Sequence, residues 1–108
     1  MPQPDKLSLY QSGIGHYTRQ DFAAARADFE RALTLDPDLG DAHQALAHVH
    51  ERLGDYVAAL AAARRAVECN PTDPLAYTTL SICCQRQGMI PEAEAAKARA
   101  AQLQAGSA

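Results

Sequence analysis

The 108-residue sequence predicts an all-α fold of three tandem helical hairpins, and three observations carry that prediction. Residue types recur at a 34-residue interval: Pro37 with Pro71, Gly54 with Gly88, Ala25 with Ala59 and Ala93, Ala32 with Ala66 and Ala100, and the large apolar trio Phe22, Tyr56 and Ile90. Within the interval, apolar residues fall three or four apart, as a buried stripe on a helix requires. No segment alternates with period two, so no strand is expected. A fixed period of this length marks an architecture in which each unit covers its apolar face with its neighbour.

The repeats run over residues 6–39, 40–73 and 74–107, so residues 1–108 are expected to form one domain with short ends. In the second repeat, Leu46, Val49 and Leu53 mark one helix and Leu60, Ala63 and Val67 the next. Between them lies Leu53-Gly54-Asp55-Tyr56, where Gly54 ends the first helix in the left-handed conformation and Asp55 caps the second. The linker Asn70-Pro71-Thr72-Asp73-Pro74 stops a helix at Pro71 and restarts one with Asp73 as cap and Pro74 at the first helical position. In the third repeat Gly88-Met89-Ile90-Pro91 is the corresponding turn, and the last helix is expected from Pro91 to about Gln104.

Composition bounds the function. Hydrophobic residues are 47%, charged residues 21% and the formal net charge is -3, the balance of a folded soluble domain and not of a general nucleic-acid binder. One domain leaves no room for a cleft between two lobes. No apolar run approaches the ~18 residues of a membrane span, and Met1-Pro2-Gln3-Pro4-Asp5 lacks the basic start of a signal peptide. With Cys69, Cys83 and Cys84 odd in number and two of them adjacent, reduced thiols and a cytoplasmic location are expected. Tryptophan is absent, aromatics are 6%, and alanine makes up roughly a fifth of the chain, well above ordinary usage.

A 34-residue helical hairpin with these columns resembles the tetratricopeptide repeat. The pattern is carried by Gly13, Ala25, Phe29, Ala32 and Pro37 in the first repeat, by Leu46, Ala47, Ala59, Ala66 and Pro71 in the second, and by Leu80, Ser81, Ala93 and Ala100 in the third. Leu9, His43 and Tyr77 stand where the family has a bulky aromatic, so it departs at Leu9 and His43, at Gln20 in place of a turn glycine, and at Ala63 and Lys97 in place of an aromatic. The resemblance implies a right-handed superhelix of six antiparallel helices. Small residues at Ala25, Ala59 and Ala93 then let paired helices approach closely, which explains the alanine excess.

The resemblance also implies a site. In this family the first helix of each repeat lines the concave side, an extended surface used for binding proteins. Carried over by repeat position, the groove residues are Leu7, Tyr10, Ile14 and Tyr17, then Asp41, Gln44, Ala45, His48, Glu51 and Arg52, then Leu75, Thr78, Thr79, Ile82, Gln85 and Arg86. The expected function is non-catalytic capture of a peptide or protein segment, with no cofactor. Tyr10 and Tyr17 either face that groove, where tyrosine is favoured, or pack into the hairpin. The subfamily that grips chaperone C-terminal carboxylates uses lysine, arginine and asparagine at positions that are here Tyr10, Ile14, Ala45, Leu75 and Thr79. With no cation among them, that partner is not expected.

Other constellations read as structural. His16, His50 and Cys84 share a repeat column, but neighbouring repeats lie on the order of ~10 Å apart, whereas zinc needs ligands within about 2.0–2.3 Å of one point. His48 and His50 diverge by about 200° around their helix. Cys83-Cys84 lacks the spacing of a redox pair, and no phosphate loop, nucleophile elbow or metalloprotease motif is present. Glu51 with Arg52 or Arg86 reads as a surface ion pair. At the C-terminal end two readings stand: the last helix is its own polar cap, or Ala93, Ala96, Ala100 and Leu103 form an exposed stripe on which a second copy stacks to give a weak homo-oligomer.

Overall fold

A computed structural model describes residues 4–106; residues 1–3 and 107–108, including Ser107 at the end of the third repeat, lie outside the described residues. Six helices and no strand are found among them: α1 Lys6–Thr18, α2 Phe22–Leu35, α3 Gly40–Leu53, α4 Tyr56–Cys69, α5 Pro74–Arg86 and α6 Ile90–Gly106. The odd-numbered helices start at the first residue of each repeat.

Local chemistry sets the helix ends. Aspartates cap four of the helices: Asp5 Oδ1 accepts from the Ser8 N–H at 2.7 Å, Asp55 Oδ1 from Ala58 at 3.1 Å and Asp73 Oδ1 from Leu75 at 2.9 Å, with Asp21 placed likewise over α2. The three hairpin turns share one backbone form, with Gln20, Gly54 and Gly88 at φ 64°, 82° and 74°. Each is closed by a 2.9 Å bond from an N–H to a carbonyl of the preceding helix: Asp21 to His16, Asp55 to His50 and Met89 to Cys84. Gln20 is a side-chain-bearing residue in a conformation that favours glycine.

Inside the hairpins, space is matched pair by pair. Ala25, Ala59 and Ala93 are buried where the helices cross. A Cβ on Gly13 would lie 2.6 Å from the Phe29 ring, so that ring enters the core only because position 13 has no side chain. One repeat on, the equivalent pair is Ala47 with Ala63, both buried: two small residues replace none plus one large. In the third hairpin Ser81 donates to the Ala93 carbonyl at 2.9 Å, and Lys97, standing where Phe29 stands, remains exposed.

Curvature follows from which helices touch. The backbone of α3 lies close to those of α1 and α5, whereas the second helices stand farther apart, α4 meeting α6 through the long side chains of the Arg64–Glu92 ion pair at 2.8 Å. The first helices therefore crowd together on one side while the second helices fan out, giving a curved stack of 47 × 31 × 22 Å whose concave face belongs to α1, α3 and α5. Ala93, Ala96 and Ala100 are buried against α5, and Leu103 is half-buried. The stripe expected as a surface for stacking copies is thus the interior of the third hairpin, because Ser81 and its neighbours on α5 need small residues opposite them. The outer face of α6 shows Glu94, Lys97, Arg99 and Gln102 to solvent. No described helix is long and apolar enough to cross a membrane.

Two stability measurements check this packing. Ala59→Leu overfills a closed crossing and is expected to cost about 1–3 kcal/mol, whereas Ala58→Leu, at a half-buried neighbour, leaves the melting temperature nearly unchanged. Equal losses would misplace the crossing. Gln20→Gly relieves the left-handed backbone and should stabilise by about 1 kcal/mol; a lower melting temperature would show that the turn carries no strain.

Candidate functional site

The concave face contains a hollow of about 320 Å³, lined by α1, α3, the start of α5 and Phe29 of α2. That volume is at the low end of the range for ligand clefts, about 300–1,000 Å³, and suits one or two side chains of a longer segment. From α1 come Tyr10, Ile14 and Tyr17, spaced so that all three lie on one helical face. From α3 come Asp41, Gln44, Ala45 and His48, again at helical spacing, and Leu75 closes the far side.

The two tyrosines do both things that the sequence left open. Tyr10 packs on Phe29 with ring centroids 5.7 Å apart, and Tyr17 meets Phe22 edge-on at 5.4 Å, yet each is only half-buried and turns its remaining surface into the hollow. Burial first and Asp41 second raise the Tyr10 pKa above its ordinary value, so its hydroxyl stays a donor. Ile14 is 38% exposed and Leu75 61%, an unusual amount of aliphatic surface to leave in a concavity. His48 lies on the wall, its Nε2 3.5 Å from the Thr79 hydroxyl. Thr79 itself is buried and donates to the Leu75 carbonyl at 3.0 Å, which takes it out of the groove surface.

Sequence reasoning missed two lining residues. Phe29 forms part of the floor although it reads as a packing residue, and Asp73 reaches the rim although it reads as the cap of α5. The legible signal was positional: a cap at the start of a groove-lining helix necessarily stands at the groove's edge.

The remaining predicted residues are elsewhere. Leu7 is exposed on α1 without lining the hollow. Thr78, Ile82 and Gln85 line a second concavity of about 400 Å³ shared with Lys97 and Ala101 of α6. The two arginines expected at the polar end of the groove are held between hairpins: Arg52 lies 4.9 Å from the Phe22 ring centroid and Arg86 5.3 Å from that of Tyr56. Arginine and ring alike recur one repeat on, so the same cation–π contact is built twice. Arg86 also donates from Nε to Glu51 at 3.0 Å, an ion pair joining α5 to α3.

The column His16, His50 and Cys84 supplies the carbonyls that close the three turns. Among the described residues no group of three histidine, cysteine or acidic side chains could hold a metal ion. His16 has Asp28 and Asp21 within 3.5 and 3.8 Å. The position that faces His50 in place of Asp28 is Ala62, and the buried His50 Nδ1 has no hydrogen-bond partner. Burial pushes the His50 imidazole below its ordinary value, against the opposing pull of Asp55 and Glu30 and with a further push from Arg26. Burial likewise raises the Cys83 thiol to about 12 and raises Cys84, with Glu92 adding to the latter, so both remain protonated and poorly nucleophilic.

Comparison with known proteins gives a consistent picture. A family model described as tetratricopeptide repeat matches residues 10–74, and a second with the same description matches residues 62–95. No curated protein matches the sequence. Among solved structures, MamA superposes with a TM-score of 0.90 at 20% identity, over 95% of this chain and 60% of the MamA chain. The first such domain of Spaghetti, bound to an HSP90 peptide, gives 0.88 at 19% identity over 92% of this chain and 79% of that one. The Yersinia enterocolitica type III secretion chaperone SycD, in complex with a peptide of the translocator YopD, gives 0.82 at 20% identity over 88% and 72%. At these identities the likeness is one of fold, and the chain spans 60% of the length of the MamA chain.

The His50 environment predicts a pH dependence. The folded state holds this imidazole below 6.5 and the unfolded chain does not, so the unfolded chain takes up the proton first. Stability is therefore unaffected by this group at higher pH and falls as pH drops through 6.5 toward the folded-state value. His50→Phe should flatten that fall in melting temperature; an unchanged slope would assign it to other groups.

Proposed function

The chain belongs to the tetratricopeptide repeat family, and from that premise we propose that it is a non-catalytic protein-interaction module whose groove holds a segment of a partner protein. The observation that carries this reading is the hollow on the concave face. Three first helices converge there with exposed Ile14 and Leu75 beside half-buried Tyr10 and Tyr17, surface that water solvates poorly and a partner's side chains would cover. The groove walls are helices fixed by buried neighbours, so little conformational freedom is lost on binding. Structures of the same fold, Spaghetti and SycD, hold peptides. Free thiols, two of them buried, suit a reducing compartment, and the cytoplasm is the location this reading takes.

The test is capture of partners by the purified chain. Ile14→Ala with Leu75→Ala removes exposed apolar surface from the hollow and should lower capture about tenfold with little change in melting temperature. Val57→Ala, on the outer helix α4 at 72% exposure, should leave capture intact. Equal losses from the outer and inner substitutions would overturn the groove as the binding surface.

A further inference from the structure

The charges around the hollow narrow what the segment is. Asp41, exposed at the start of α3, and Asp73, at the start of α5, both line it, and no lysine or arginine does among the described residues. On the three first helices the lysine and arginines are committed elsewhere: Lys6 to Asp36 at 2.7 Å, Arg86 to Glu51 at 3.0 Å and Arg52 to the Phe22 ring. The floor and walls are aromatic and aliphatic, and the two formal charges at the edge are negative.

We infer that the occupant is a protein segment carrying a bulky apolar side chain flanked by lysine or arginine. The apolar group covers Ile14, Leu75 and the tyrosine faces, while the cation pairs with Asp41 and Asp73 at the rim. An acidic segment or a terminal carboxylate is rejected: it meets two aspartates and loses its hydration with no cation in return. The inference rests on the groove reading above, and it adds the chemistry of the partner. It also makes binding sensitive to ionic strength, because charges at an open rim are screened within about 10 Å at 0.1 M salt.

The experiment uses the full chain and an array of nine-residue peptides, each with one Leu, Ile, Met or Phe flanked by Lys/Arg, by Asp/Glu or by neutral residues. Retention should follow the order basic, neutral, acidic. Asp41→Asn with Asp73→Asn keeps the α5 cap, since Asn caps as well as Asp, and should lower retention of the basic set about tenfold, to the level of the neutral set. Ala45→Trp fills the hollow and should abolish retention of every set; if it does not fold, Ile14→Ala with Leu75→Ala, which removes the exposed apolar surface without changing charge, serves instead and should lower every set. Acidic or neutral peptides held as well as basic ones, yet lost in Ala45→Trp, would overturn the partner chemistry and leave the groove standing. Retention that survives the filled hollow, or no retention at all, would overturn both.

Discussion

Close approach of paired helices is the constraint on which the rest of this molecule depends. Each hairpin closes only if the residues at the crossing are small, and Ala25, Ala59 and Ala93 meet that demand at zero to 1% exposure. The interior is consequently thin, and its volume is balanced locally: Phe29 fills the space that Gly13 leaves, while Ala47 and Ala63 divide the equivalent space between them. At the crossing itself there is no place for a large side chain. Once the hairpins are closed, the first helices are near enough to share one inner face, and the groove is a product of that crowding.

What holds neighbouring hairpins in register is different in character. The buried apolar contacts between α2 and α3 and between α4 and α5 supply most of the stabilisation, as area removed from water does generally. The cation–π contacts of Arg52 and Arg86 add about 0.5–1 kcal/mol each at such exposed sites, and the Glu51–Arg86 pair adds up to about 1 kcal/mol. These contacts are directional where apolar burial is not, so they fix the angle at which one hairpin meets the next. In doing so they withdraw two positive charges from the inner face and leave Asp41 and Asp73 to set its sign.

The fold was legible because one period carries it: the columns at Ala25, Ala59 and Ala93 and the turns at Gly54 and Gly88 can be read without knowing any contact. The aromatic half of the groove was legible for the same reason, since Tyr10, Ile14 and Tyr17 share a helical face by spacing alone. Its charge was not. Arg52 and Arg86 lie on the helices that line the groove, and only their ring partners on the neighbouring hairpin, Phe22 and Tyr56, reveal that they turn aside. Asp73 was legible as a cap but not as part of a rim, because a local hydrogen bond says nothing of what lies across from it. The fate of Ala93, Ala96 and Ala100 was similarly hidden: an alanine stripe reads alike whether it faces its own hairpin partner or an open end, and burial against α5 decides between them.

The contact pattern has a kinetic side. Among the described residues the backbones of the first and third hairpins do not approach closely. Close helix packing therefore forms within one hairpin or between adjacent ones, and no long loop has to close before it begins. Such a chain behaves as a short row of coupled units: a structured hairpin templates its neighbour from either side, and folding is expected to be fast for a domain of this length. The middle hairpin, α3 with α4, is the only one stabilised from both directions, so opening should start at the ends and reach it last.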